Sequence, residues 1–238
     1  MAELLTTLDK VKSPNDLAVF VVSKSGGTTE TITNAAVLLS KLTERFGDDI
    51  YSRVVFVGNK GNPLLEVGDK LGTHSLTMPT AVGGRYSVFT SVGLAPLSLL
   101  GYNTDRLLAG VKALFSEAEY EPMVAEAAAS LYQYLNRGVR NVKLFSFAPG
   151  FESIGQWWMQ LTAESLGKAE TNDGQAVELG FIPSSATAVN LHSTEQLYFS
   201  GFKGVYTDFL TLDKPSKEAF AIPEESPPPN TPLSLIHI

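Results

Sequence analysis

At 238 residues the chain can bury one large core or two modest ones, and 44% apolar against 18% charged residues is an ordinary globular balance. A formal net charge of −7, from 18 Lys and Arg against 25 Asp and Glu, argues against a general nucleic-acid surface but leaves local anion binding by backbone N–H groups open. The lack of cysteine excludes disulfides and thiolate chemistry, three histidines (His74, His192, His237) argue against a multi-histidine metal centre, and the absence of a signal segment or of roughly 20 successive apolar residues makes a cytoplasmic protein without a membrane partner the expectation.

Residues 17–22, Leu-Ala-Val-Phe-Val-Val, form a continuous apolar run that predicts a buried strand. From Thr28 to about Phe46, the positions Ile32, Ala35, Ala36, Leu39 and Leu42 mark the apolar stripe of a helix, which Gly47-Asp48-Asp49 ends. A second run at 54–57, before Gly58-Asn59-Lys60-Gly61-Asn62-Pro63, completes a strand–helix–strand pattern. Residues 74–78 read as another short strand. After Gly83-Gly84, the apolar segment 86–100 reads as one buried helix that Pro96 kinks or ends.

Helices are expected at 105–115 and 122–135, then a strand at 142–147 and a turn at Pro149-Gly150. Ser153 is expected to cap a helix that runs to about Gly167, with Ile154, Trp157, Trp158 and Leu161 as adjoining apolar positions. Residues 177–182 read as a strand, a Ser/Ala/Thr loop follows, His192 opens a helical segment through Tyr198, and 205–212 supply a further strand. Five prolines between Ile222 and Pro232 mark 223–238 as an extended tail or a sequence artefact. The fold class is α/β, with expected divisions at 1–118, 119–222 and 223–238.

The stretch that narrows function is Ser23-Lys-Ser-Gly-Gly-Thr28, where the first strand opens into the first helix. Ser23, Ser25 and Thr28 supply hydroxyls, Gly26-Gly27 lets backbone N–H groups approach an anion, and the helix start presents its positive end. Lys24 can add charge or face solvent. Ser25 or Thr28 can equally be an ordinary helix cap. Neither a Walker loop nor the Gly-x-Gly-x-x-Gly dinucleotide turn is present, which disfavours nucleotides.

Ser23-Lys-Ser-Gly-Gly-Thr-Thr-Glu-Thr31 resembles the sugar-phosphate loop of the glucose-6-phosphate isomerase (phosphoglucose isomerase) family. Three later segments agree in order. Val82-Gly-Gly-Arg-Tyr-Ser-Val88 resembles its Gly-Gly-Arg signature. Trp157-Trp-Met-Gln-Leu-Thr-Ala-Glu-Ser-Leu-Gly-Lys168 resembles its Glu-Ser-x-Gly-Lys helix, and Leu191-His-Ser-Thr-Glu-Gln-Leu197 the segment with its ring-opening histidine.

The resemblance implies a parallel-sheet sandwich of sugar-isomerase (SIS) type in two subdomains, both incomplete here. It implies reversible isomerisation of glucose 6-phosphate and fructose 6-phosphate through a cis-enediolate, in glycolysis and gluconeogenesis, with no metal, flavin or nicotinamide. Ser23, Lys24, Ser25 and Thr28 match phosphate-binding positions. Glu164 matches the base that carries a proton between C1 and C2, Arg85 the guanidinium near that end of the sugar, and His192 the ring-opening histidine. In the family that histidine comes from the partner subunit, so a homodimer is implied. Gly27 departs from the Thr that many relatives carry.

Outside the resemblance, each of these residues has an ordinary reading. Glu164 can be a surface carboxylate paired with Lys168 at i+4. Arg85 can cap a helix or face solvent, and His192 can be a capping or packed histidine. Trp157 and Trp158 suit core or interdomain packing better than sugar stacking. Asn59, Lys60 and Asn62 stand at a strand end where α/β sheets bind ligands, although Asn-Pro is also a common turn. No Gly-x-Gly-Gly-Ser loop of the family precedes Leu17, and no lysine helix follows residue 215. Lys203, Lys214 and Lys217 do not lie in its motif. The expectation is the central portion of an isomerase, weak or inactive alone, with a non-catalytic sugar-phosphate-binding protein as the alternative.

Overall fold

The computed structural model describes residues 6–177, 180–194, 196–201 and 203–212, so the proline-rich segment 223–238 lies outside the described residues. The chain divides into two units, Met1–Glu117 and Ala118–Ile238. Each holds a three-stranded sheet, and every pairing in both sheets is parallel.

In the first unit the strands β1 (Val19–Val22), β2 (Val54–Asn59) and β3 (His74–Met78) lie in the order β1-β2-β3. The register runs Val19↔Val54 to Val22↔Val57 and Val55↔His74 to Asn59↔Met78. Central β2 is the most buried, as its unbroken apolar run requires of a strand covered on both faces. Helix α1 (Thr29–Phe46) connects β1 to β2, and α2 (Pro63–Leu71) connects β2 to β3. Ala35 and Leu39 of α1 and Leu64 and Leu65 of α2 pack with Val21, Val54 and Phe56 into one core. Burial of a side chain such as Phe56 stabilises the unit by about 1.5–3 kcal/mol. Gly47 ends α1 in a positive-φ conformation, with its N–H on the Thr43 carbonyl, as the Gly-Asp-Asp stop anticipates.

The apolar stretch 86–100 is not one buried helix. A 3-10 turn, Gly84–Phe89, gives way at Thr90 to helix α3 (Ser91–Leu99), neither continuing the other because Thr90 is extended. Its hydroxyl accepts from the Val92 N–H and starts α3 afresh. No residue of α3 is fully buried, and Leu99 and Leu100 are exposed. Helix α4 (Thr104–Ser116), capped by the Asn103 side chain, completes the unit.

The second unit begins with α5 (Tyr120–Asn136), followed by β4 (Asn141–Ser146), α6 (Glu152–Leu166), β5 (Ile182–Thr187) and β6 (Val205–Leu210). The strand order is β5-β4-β6, with Asn141 paired to both Ile182 and Val205. Phe145 anchors this sheet against Phe147 and Phe209, at ring separations of 4.9 and 5.6 Å.

Three expectations need correction here. The strand expected at 177–182 begins at Ile182 and occupies the Ser-Ser-Ala-Thr segment taken for a loop. Small residues suit it because α6 lies so close: a Cβ on Gly155 would stand 2.7 Å from the Ser185 Cβ. Ser153 is not a cap. The 3-10 turn Pro149–Phe151 leads directly into α6, whose N-cap is Phe151. His192 does not open a helix either, because it closes the 3-10 turn Ala188–Leu191, and a π-type turn follows only at Leu197–Gly201. No helix among the described residues is long and apolar enough to cross a membrane.

Candidate functional site

The Ser23–Thr28 loop leaves the carboxyl end of β1, and its first residue still belongs to the ladder: the Ser23 N–H donates to the Val57 carbonyl at 3.0 Å. Ser23 is buried, 3% exposed, and its hydroxyl accepts from the Gly26 N–H at 3.1 Å and donates to the Thr28 hydroxyl at 3.3 Å. The Ser25 hydroxyl accepts from the Gly27 N–H at 3.3 Å. Thr28 is the N-cap of α1, yet no side chain caps that helix. The ordinary capping reading of Ser25 and Thr28 therefore fails, since neither hydroxyl serves the helix's first turn. What results is a tightly turned loop of small polar residues, exposed at Ser25 and Thr28, over the positive end of an 18-residue helix. Glu30 in the first turn is the local negative charge with which an anion would compete.

Arg85 sits in the 3-10 turn that follows β3. Its guanidinium carbon lies 5.1 Å from the centroid of the Tyr86 ring, a cation–π contact, and the side chain is half-buried. The Ser91 hydroxyl donates to the Thr77 carbonyl at 2.9 Å and ties the segment to β3, where Thr77 pairs with Gly58 of β2. The Ser23–Thr28 loop, the end of β2 and the Arg85 turn thus all follow the carboxyl edge of one parallel sheet, the edge at which open α/β sheets bind ligands.

Glu164 and His192 belong to the second unit. Glu164 is exposed near the C-terminus of α6, and its Oε1 accepts from Gln160 Nε2 at 2.9 Å. Lys168 does not simply pair with that carboxylate; its ammonium donates to the Glu164 main-chain carbonyl at 2.9 Å, as cations do at helix ends. His192 is exposed beyond the carboxyl end of β5, after a turn fixed by the Thr187–Asn190 capping box.

These two residues stand at opposite edges of their sheet. Gly155, early in α6, packs on Ser185 near the end of β5, and the helix then runs back toward the start of the strands. Nine further residues carry Glu164 about 14 Å along the helix axis, away from the edge that bears His192. Trp157 keeps 42% of its surface exposed, so it is not a core residue of this unit.

Asn62, read from the sequence only as a strand-end or turn residue, has a tie to the Ser23–Thr28 loop that the sequence reasoning missed. It is a buried N-cap of α2 that also bonds to the Ser23–Thr28 loop, and Asn before a Pro at the first helical position was the available signal for the cap. Beside it, Asn59 Oδ1 is buried without a hydrogen-bond partner.

Comparison with known proteins converges on one family. Over 225 residues the chain is 32% identical to the glucose-6-phosphate isomerase of Clostridium tetani, covering 92% of this chain and 47% of that protein. It is 33% identical over 223 residues to the glucose-6-phosphate isomerase of Campylobacter jejuni, covering 92% and 52%. The chain thus spans about half the length of the curated relatives it matches. Among solved structures, a hypothetical protein from Thermus thermophilus superposes with a TM-score of 0.77 at 28% identity, over 87% of this chain and 50% of that one. A glucose-6-phosphate isomerase from Chlamydia trachomatis shares the fold, with a TM-score of 0.71 at 22% identity over 87% and 41%. These likenesses identify the two parallel-sheet units as resembling sugar-isomerase (SIS) subdomains. The family model for phosphoglucose isomerase matches residues 1–223, and with that match spanning both units the chain belongs to the phosphoglucose isomerase family.

Proposed function

We propose that this chain carries the central part of a hexose-phosphate aldose–ketose isomerase site, interconverting glucose 6-phosphate and fructose 6-phosphate. The observation that carries the reading is the Ser23–Thr28 loop: uncapped by side chains, rich in hydroxyls and set over the start of α1, it suits a dianionic phosphate. Ser23, Ser25, Thr28 and Lys24 hold that group. Arg85 stabilises the negative charge that develops on the enediolate oxygens. Glu164 takes the proton from C2 and returns it to C1, or the reverse, so that one carboxylate serves both directions. His192 exchanges protons with the ring oxygen as the sugar opens.

A homodimer in which His192 serves the site of the other copy is part of this proposal, and it rests on membership of the phosphoglucose isomerase family. The chain alone is proposed to be weak or inactive. A non-catalytic sugar-phosphate binder is the second reading, favoured by one observation: the phosphate loop is complete within the first unit, whereas Glu164 and His192 lie in the second.

Titration with 5-phosphoarabinonate tests the seat, and deuterium uptake at C2 of glucose 6-phosphate tests the chemistry. Binding with slow uptake that falls about a hundredfold or more in Glu164→Gln is the expected result. Binding without uptake would favour the non-catalytic reading, and no binding would remove both. Turnover at a full isomerase rate would overturn the weak-fragment proposal.

A further inference from the structure

We infer that Asn62 is the positioning residue of the phosphate loop, acting through the backbone of Ser23 and Lys24 rather than by touching the ligand. This rests on the reading of residues 23–28 as the phosphate seat. Asn62 is 4% exposed although Lys60 and Gly61 beside it are on the surface. Both ends of its carboxamide are engaged. Nδ2 donates to the Ser23 carbonyl at 2.8 Å and the Lys24 carbonyl at 3.2 Å. Oδ1 accepts from the N–H groups of Leu64 at 2.7 Å and Leu65 at 3.3 Å, capping α2.

A residue that only capped α2 would need only the oxygen, and Ser, Thr or Asp would serve. The amide end is what requires asparagine, because it alone reaches two loop carbonyls with two donors while the oxygen caps. Its effect on the loop follows from peptide geometry. In a trans peptide the C=O of one residue and the N–H of the next point in opposite directions. Drawing the Ser23 and Lys24 carbonyls onto Asn62 therefore turns the Lys24 and Ser25 N–H groups away from it.

The surrounding backbone is built to admit this carboxamide. A Cβ on Gly58 would lie 2.0 Å from Nδ2 and 2.7 Å from the Ser23 carbonyl oxygen. A Cβ on Gly26 would lie 2.5 Å from Oδ1, and Gly26 also has a φ of +71°. The loop, the end of β2 and the start of α2 thus close around one side chain. The clamp separates two jobs that substitution can pull apart.

Asn62→Ser keeps a helix-capping hydroxyl but removes both donors to the loop. Asn62→Asp keeps the cap and sets a carboxylate oxygen against the two carbonyls. The experiment measures affinity for 5-phosphoarabinonate by calorimetry in the full chain, with α2 followed by circular dichroism. Both variants are expected to retain helix content and to bind about tenfold more weakly than the wild type, the scale of one or two lost buried hydrogen bonds.

Unchanged affinity in a folded variant would overturn the inference while leaving the seat intact. Failure of the wild type itself to bind would instead remove the seat reading. Should neither variant fold, hydrogen exchange of the wild-type Asn62 side-chain amide decides: it is expected to slow on saturation with 5-phosphoarabinonate, and an unaltered rate overturns the inference.

Discussion

Tyr206 on β6 shows how one side chain gives the second unit a pH limit. Its ring lies 5.1 Å from that of Tyr134, inclined at 53°. Burial, and then the negative charge of Asp208, push its phenol above the ordinary value of 10.0, while the hydrogen bond with Ser130 opposes them. The folded state therefore holds this proton to higher pH than the unfolded state does. The associated stability is fully present below the unfolded value and is lost as pH rises through the folded one. Urea midpoints for the second unit are expected to fall above pH 10.0, and Tyr206→Phe to lessen that decline. An identical alkaline decline in the variant would assign the effect elsewhere. At this scale the sequence was most legible where the proposed function depends on neighbours in the chain. The Ser-Lys-Ser-Gly-Gly-Thr loop, the proposed phosphate seat, declares itself by composition and by its place between a strand and a helix. Asn62 does not, because the carbonyls it holds lie 39 and 38 residues away. Glu164 and His192 were singled out by resemblance alone, since an exposed carboxylate and an exposed histidine carry no local signature.

Helix α2 presents a contest between local propensity and packing at Gly68. Replacing a mid-helix glycine by alanine favours the helix by about 1 kcal/mol. A Cβ there, however, would lie 2.5 Å from the Phe56 ring and 2.7 Å from Thr73 Oγ1. Phe56 is only 1% exposed and central to the core, so it has no open space to enter. Overpacking costs of about 1–3 kcal/mol exceed the propensity gain, and Gly68→Ala is expected to destabilise the first unit by up to about 2 kcal/mol. A lower urea midpoint at unchanged slope would register this, whereas a higher midpoint would mean that α2 shifts freely on the sheet. The same contest explains which elements the sequence revealed. The strand β2 announces itself because its apolar run and its burial coincide, whereas β1 buries only Val21, and of the α1 stripe Ala35 and Leu42 are buried while Ile32 and Ala36 are exposed. The strand β5 does not announce itself, since Pro-Ser-Ser-Ala-Thr becomes a strand through its ladder with β4 and its close contact with α6. Between 86 and 100 the apolar pattern was continuous, but the Thr90 hydroxyl bond to Val92 divided it.

For the whole molecule, colloidal behaviour is set by charge acting against exposed apolar surface. Among the described residues, Leu100, Phe115, Val189 and Phe199 are 74%, 65%, 77% and 75% exposed, large side chains of the kind that favour association. A net charge of −7 at pH 7 opposes that association by mutual repulsion, and the charge vanishes near the isoelectric point of about 5.0. Salt separates the two influences, because about 0.1 M shortens the reach of charge repulsion to about 10 Å and leaves apolar contact intact. Light scattering is therefore expected to be low at pH 7 in dilute buffer, to rise there when salt is added, and to rise without salt as pH approaches 5.0. Near that pH, salt should add little, since little net charge remains to screen. Scattering that stayed flat through the isoelectric point would show that these side chains are covered in solution, and sedimentation velocity at pH 7 would then reveal whether a second copy covers them.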